Sequence, residues 1–259
     1  MTNRNVNLSK HELPVASPLA DELVQLWEST FGDSYADFRP VLEGSEQPVN
    51  CNRLYLVNEN DRVVATTQLT TNRTDPTIGG LGEVVTLDSH RRKGLARELR
   101  SQARDEFLAN GGEACFLGTV NPGAARLYHD LGWRRLASTT LMCLVSGDRS
   151  PEEFLIDYFR DINDVQIEVG SAAHRIGMIP LLVCPHDGPV LDANTNLYST
   201  RYAVQSSCMG LYPRYHRLTV ESNGQWFGAT SNGRAVGLAS VKLNDGAASL
   251  DGFVHRNAN

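Results

Sequence analysis

The sequence predicts a mixed α/β fold, and three observations carry that expectation. Strand-like and helix-like segments alternate over 53–145 in the order β, β, β, α, β, α, β. Two segments have helical spacing and end on stop signals, Asn110-Gly111-Gly112 and Gly132. A polar, turn-rich stretch, GDRSPEE at 147–153, separates this half from a second one that closes in β patterns. Such alternation implies a mixed sheet with parallel neighbours around the long helix.

The elements follow in order. Ser17-Pro18 reads as an N-cap with proline at the first helical position, and Leu19, Leu23, Leu26 and Trp27 form one apolar face behind it. Residues 53–58 and 62–70 read as strands around a turn at 59–61, and TNRTDPTIGG reads as a loop. GEVVTL, 82–87, is short and β-rich, which suits a buried strand. Leu95, Leu99, Ala103 and Phe107 then recur every four residues, the spacing of a helix face. ACFLG, 114–118, is the next strand. Asn121-Pro122 opens a helix with Ala124, Leu127, Tyr128 and Leu131 on one side, and 133–145 is mostly β-like. In the second half FLIDYFRDI reads as a helix, while 171–216 has no readable period.

An internal match stands out. LYLVNENDRVVATTQL, 54–69, aligns without gaps on WFGATSNGRAVGLASV, 226–241, each being strand, turn, arginine, strand. Each is followed by a loop and a third strand, GEVVTL in one and SLDGFV in the other. The pattern indicates a duplicated unit. The domains expected are therefore 1–147 and 148–259.

The net charge of −6 argues against general nucleic-acid binding. Five cysteines without a CxxC pair read as buried thiols in a reducing compartment, so a cytoplasmic protein is expected. No stretch approaches the ~20 apolar residues of a membrane span. No His/Cys/Asp cluster has metal-ligand spacing, so no metal is expected.

Against that acidic background the cations of DSHRRKGLAREL, 88–99, are a local device. A strand runs into a short loop and then a helix, whose first backbone N–H groups have no intrahelical acceptor. Gly94 tolerates a positive φ and lets a ligand approach the backbone, Ala96 is small, and Arg92, Lys93 and Arg97 can add charge-assisted hydrogen bonds. The segment is an anion site by this reasoning. It is neither a Walker A loop nor a dinucleotide GxGxxG.

Together, Arg91-Arg92-Lys93-Gly94-Leu95-Ala96 and the later Asn121…Ala124…Leu127-Tyr128…Gly132-Trp133 resemble the GNAT (GCN5-related) N-acetyltransferase family. The first has the form of its R/Q-x-x-G-x-G/A pyrophosphate loop, and the second that of its N-x-x-A-x-x-L-Y-x-x-x-G-aromatic segment. Asp88 departs from the proline often found there. The resemblance covers about 15–145 and implies a GNAT-like acyl-CoA N-acyltransferase fold, followed by a smaller, partial or degenerate GNAT-like repeat.

The resemblance also implies acetyl-CoA as cosubstrate and a primary amine, on a small molecule or a peptide, as acceptor. The CoA pyrophosphate would meet the N–H groups from Arg92 to Arg97, with Arg91 heading the loop. The pantetheine arm would pair with Val84, Val85 and Thr86 like an added strand, entering where strands 82–87 and 114–118 splay apart. Asn121 would contact CoA, cap its helix, or both. Tyr128 matches the family's usual general acid, which protonates the leaving thiolate. Glu83, a carboxylate in an apolar strand, is costly unless used or paired. It is either the general base or part of a salt bridge or solvent-facing strand end. The expected activity is direct acyl transfer to an amine. The rival expectation is a non-catalytic module that binds CoA or a partner.

Overall fold

Asn60 and Asp61 both hold a positive φ, 52° and 61°, and so do Asn232 and Gly233, at 51° and 76°. Two consecutive left-handed residues make a turn whose twist matches that of paired strands. The chain thus builds two tight hairpins, 172 residues apart, at the positions where its sequence matches itself.

The computed structural model describes residues 6–137, 139–205, 207–244 and 246–258. The chain is mixed α/β and divides into two compact units, 1–112 and 113–259. In the first, β1 (Val6–Glu12) leads to α1 (Ser17–Phe31) and the short α2 (Arg39–Leu42). Then come β2 (Asn50–Glu59), β3 (Arg62–Asn72), β4 (Ile78–Thr86) and α3 (Leu95–Ala109). The strands run in the order β1-β2-β3-β4, each antiparallel to its neighbour.

One face of these strands packs on α1, whose Leu23, Leu26 and Trp27 meet Leu54, Leu56 and Val85. The other face packs on α3. Tyr55, Val57, Ala65 and Leu69 are buried there beside Leu99, Ala103 and Phe107. Alternation along β2 sends successive side chains to opposite helices, which is why this strand reads as continuously apolar.

The second unit opens with β5 (Ala114–Gly118), α4 (Pro122–Asp130), β6 (Arg134–Arg135) and β7 (Leu141–Val145), the strands ordered β5-β7-β6. It continues with α5 (Pro151–Tyr158), β8 (Gln166–Val169), α6 (His174–Val183), β9 (Val190–Asp192), β10 (Leu197–Tyr198) and α7 (Leu211–Val220). It ends with β11 (Gly224–Ser231), β12 (Arg234–Asn244) and β13 (Ala247–Val254). The last sheet is antiparallel in the order β8-β11-β12-β13.

The order repeats that of β1 to β4, and the register repeats with it. Val57 faces Ala65 and Asn58 faces Val63, skipping Val64; Ala229 faces Gly237 and Thr230 faces Ala235, skipping Val236. The carbonyl of each skipped residue accepts a hydrogen bond from the end of the third strand, Leu87 N–H at 2.9 Å and His255 N–H at 2.7 Å. The hairpin expected over 226–241 and the third strand expected after it are present, with the bulge at the matching residue.

Several expectations need correction. Ser17 does not cap α1; Ala16 holds that position and the Ser17 hydroxyl donates to Glu43. Pro18 is accommodated because the first helical turn needs no N–H partner. The predicted loop 71–80 is strand at both ends, since β3 runs to Asn72 and β4 starts at Ile78. Residues 151–153 belong to α5 rather than to a linker: Ser150 and Glu153 form a reciprocal capping box. β1, exposed along most of its length, carries no strand pattern of its own and was not expected.

Burial of polar groups gives the second unit a pH dependence. His255 is 8% exposed and stacks on Phe159 at 4.2 Å. Burial, then His186 and Arg256, hold its pKa down at about 4. An unfolded histidine takes its proton near ~6.5. Below that pH the unfolded chain binds the proton first, so stability falls from pH ~6.5 and this contribution is gone below pH 4. The loss should reach about 2–3 kcal/mol. Denaturant unfolding at pH 7 and pH 4 should show His255→Phe losing less than the parent chain; an equal loss in both removes the assignment.

Candidate functional site

The ladder between β3 and β4 breaks at one place. Thr66 pairs with Val85, and the next pair is Gln68 with Gly82, so Glu83 and Val84 together oppose Thr67. This is a β-bulge, and Glu83 takes a positive φ of 48°. A non-glycine residue in that region costs roughly 1–3 kcal/mol and persists only where neighbours hold it. Here the Thr66 hydroxyl donates to the Glu83 carbonyl and accepts from the Trp27 indole N–H at 3.1 Å. Trp27 is fully buried, so the relay from α1 to the bulge is rigid.

Glu83 therefore lies within a bulged strand and not at a solvent-facing strand end. Its side chain is half-buried, with Oε2 fully so. Its charge reaches Tyr35: burial pushes the Tyr35 phenol up, and Glu83 and Asp33 push it further. Tyr35 stacks on Phe31 at 5.7 Å and lies against Trp27 at 5.5 Å and Phe38 at 6.1 Å. Sequence reasoning missed Thr66, Tyr35 and Phe38. A threonine in a β-rich run and aromatics in an irregular loop carry no local signal, because only the tertiary fold brings them toward Glu83.

After β4 the chain makes a 3-10 turn at 88–90 and passes through Arg91, Arg92, Lys93 and Gly94 into α3. His90 anchors the turn to the hairpin, with Nε2 2.8 Å from Glu59 Oε2. Arg92 and Gly94 hold positive φ, 61° and 83°. No backbone N–H from Arg92 to Ala96 has an acceptor among the described residues, whereas the Arg97 N–H, expected in the same run, donates to the Gly94 carbonyl at 3.0 Å because it closes the first helical turn. Arg92, Lys93 and Arg97 likewise form no ion pair among them. Left-handed residues ahead of a helix start expose successive N–H groups, which suits an oxyanion.

Arg91 differs from its neighbours: its guanidinium pairs with Asp88 at 2.7 Å and donates to the Thr86 carbonyl at 3.3 Å. The Asp88 departure thus has a structural consequence, since it holds the first arginine of the motif in an ion pair. The pair is exposed and correspondingly weak. Val85 is buried and paired in the ladder, whereas Val84 occupies the bulge. Thr86 Oγ1 is buried and has no hydrogen-bond partner among the described residues.

In the second unit, Asn121 caps α4, its Oδ1 accepting from Gly123 N–H at 2.9 Å and Ala124 N–H at 3.1 Å. Tyr128 is 5% exposed and meets Trp133 edge-on at 6.0 Å; the Trp133 indole in turn donates to the Cys115 carbonyl. His129 is exposed on another side of the helix. All five cysteines are free and buried, and burial raises the Cys115 thiol, against a nucleophilic thiolate. Among the described residues no three or more His, Cys, Asp or Glu side chains gather as a metal site, and no helix is long and apolar enough to cross a membrane.

A four-stranded antiparallel unit with a bulge in its last strand, followed by an anion-ready turn into a helix, has the fold of the GNAT-like acyl-CoA N-acyltransferases. Residues 20–133 match the Acetyltransferase (GNAT) family. No curated protein sequence matches the chain significantly. Similar solved structures include a GNAT acetyltransferase from Staphylococcus aureus Mu50 (15% identity, 54% of this chain and 100% of that one, TM-score 0.42). A tandem GNAT protein from the clavulanic acid biosynthesis pathway aligns over 96% of this chain and 80% of its own, at 13% identity and TM-score 0.46. The Salmonella typhimurium acetyltransferase yncA, solved with acetyl-CoA, aligns over 55% of this chain and 96% of its own, at 16% identity and TM-score 0.42.

Proposed function

We propose that this chain is an acetyl-CoA-dependent N-acetyltransferase acting on a primary amine. The observation that carries the reading is the run of backbone N–H groups from Arg92 to Ala96, which have no acceptor among the described residues, in a segment that also carries the cations Arg92, Lys93 and Arg97. These groups would hold the pyrophosphate of CoA, and Arg91 would join them by leaving Asp88. The bulge at Glu83 and Val84 would leave backbone of β4 open to the pantetheine amides, paired through Val84, Val85 and Thr86. Asn121 uses Oδ1 as a cap, which leaves its amide nitrogen to serve the arm.

In the reaction the amine nitrogen bonds to the thioester carbonyl carbon as the carbon–sulfur bond breaks. We assign Glu83 to take the proton the amine must lose, directly or through water, and Tyr128 to give a proton to the departing sulfur. The acceptor binds as a cation before deprotonation, which suits the carboxylates of Glu83 and Asp33 and the aromatic group around Tyr35. We further propose 1–147 as the working domain and 148–259 as a repeat without a CoA site. β13 pairs with β12 without a break, so the repeat lacks the bulge, and Leu238 stands where Thr66 locks it.

Calorimetry with acetyl-CoA, followed by thiol release across a panel of amines, tests this. Tight binding with amine-dependent thiol release is expected. Binding without release on a broad panel would leave a CoA-binding module in place of an enzyme, and no binding would remove the reading altogether.

A further inference from the structure

Two contacts tie the approach to the anion-ready turn to the β2–β3 hairpin. The Leu87 N–H donates to the Val64 carbonyl at 2.9 Å, and the His90 Nε2–H donates to the Glu59 carboxylate at 2.8 Å. The second unit repeats the first of these, with His255 N–H on the Val236 carbonyl at 2.7 Å, and it repeats the 3-10 turn that follows. The closing bonds match as well, His90 N–H to the Leu87 carbonyl at 2.7 Å and Ala258 N–H to the His255 carbonyl at 2.8 Å. The side-chain contact is not repeated. Ser231 stands at the position of Glu59 and Ala258 at that of His90, and the Ser231 hydroxyl donates to the Asn163 carbonyl instead. The backbone therefore builds this turn without a Glu–His pair, and the first unit adds one immediately before Arg91.

The added pair is sheltered. Its side chains are 12% and 15% exposed, against 60% and 84% for the neighbouring Arg91–Asp88 pair. His90 Nδ1 also lies 2.8 Å from the Ser89 hydroxyl, so both ring nitrogens are engaged and the ring is oriented from two sides. Just downstream, Arg92 holds φ at 61°, a conformation that a non-glycine residue keeps only where its surroundings fix it. The backbone N–H groups from Arg92 to Ala96 make no bond among the described residues that could do so. We propose that His90 is a positioning residue, which through Glu59 fixes the entry to the turn so that these amides are already arranged when acetyl-CoA arrives. The proposal rests on the acetyl-CoA reading of the turn. A turn ordered in advance loses less freedom on binding, and that difference appears as affinity.

Nitrogen-15 relaxation of the full chain without ligand, together with calorimetric titration of acetyl-CoA, tests this role. In His90→Ala the backbone order parameters of Arg91 to Gly94 should fall from about 0.85 to about 0.6 or below, while those inside α3 and the melting temperature stay near the parent. Acetyl-CoA affinity should drop roughly tenfold. His90→Gln keeps an N–H able to reach Glu59 and should recover most of that loss. Glu59→Ser should match His90→Ala, and the two together, which give the first unit the residues of the second, should lose no more than either alone. Unchanged order in the turn overturns the proposal. So does mobility that spreads through the whole unit with a lower melting temperature, which marks a purely structural pair, and so does unchanged affinity in a chain whose turn has loosened. A parent chain that binds no acetyl-CoA removes the acetyltransferase reading, and the order parameters, measured without ligand, still decide whether His90 holds the turn.

Discussion

Gly94→Glu is expected to lower acetyl-CoA affinity roughly 100- to 1000-fold while the fold persists; two like charges ~4 Å apart oppose each other by about 4 kcal/mol at an effective dielectric of ~20. The substitution changes two things at Gly94, and they can be separated. The backbone there holds φ at 83°, which a side chain adopts at a cost of roughly 1–3 kcal/mol. A Cβ would meet no atom within 4 Å, so the protein has room for it. Gly94→Asn carries the conformational cost without the charge, since asparagine tolerates the left-handed region. It should lose less than about tenfold in affinity, one order being ~1.4 kcal/mol. Arg92→Ala, which removes one charge-assisted contact, should cost about 1–2 kcal/mol. Calorimetric titration of the three variants checks the order. Unchanged affinity in Gly94→Glu would mean that the pyrophosphate does not lie on this turn.

Tyr128→Phe should lower turnover roughly 10- to 1000-fold, the usual span for removing a positioned general acid. The ring is 5% exposed and packs edge-on against Trp133, contacts that phenylalanine keeps. Melting temperature and acetyl-CoA affinity should therefore stay close to the parent. A pure packing role predicts no change in kcat, and a structural defect predicts lower stability, so the pair of readouts separates them. Equal turnover in the two proteins, with the chemical step shown to limit the rate, would return Tyr128 to the core. Loss of stability without a specific loss of kcat would do the same.

The anion-ready turn was legible because its signals are local. Glycine ahead of a helix, cations on either side and a strand before them all lie within a few residues, and backbone conformation at Gly94 follows from its missing Cβ. Asn121 was legible for the same reason, as a side chain that reaches the N–H groups two and three residues onward. The duplicated hairpin could be read because a two-residue turn with positive φ imposes its own chemistry, Asn-Asp in one copy and Asn-Gly in the other.

The bulge was not legible. Nothing in Gly82-Glu83-Val84-Val85 announces that two residues will face one, because the decision rests on Thr66 and Trp27, 17 and 56 positions away in a sequence with no reason to single them out. By itself the sequence determined the conformations that each short stretch prefers: the turns, the caps, the left-handed glycine and the face each side chain takes. Tertiary structure alone decided where the ladder breaks and which carboxylate lies beside Tyr35. Those outcomes depend on contacts between segments far apart in the chain, and hydrophobic burial, being non-directional, favours contact without specifying the partner.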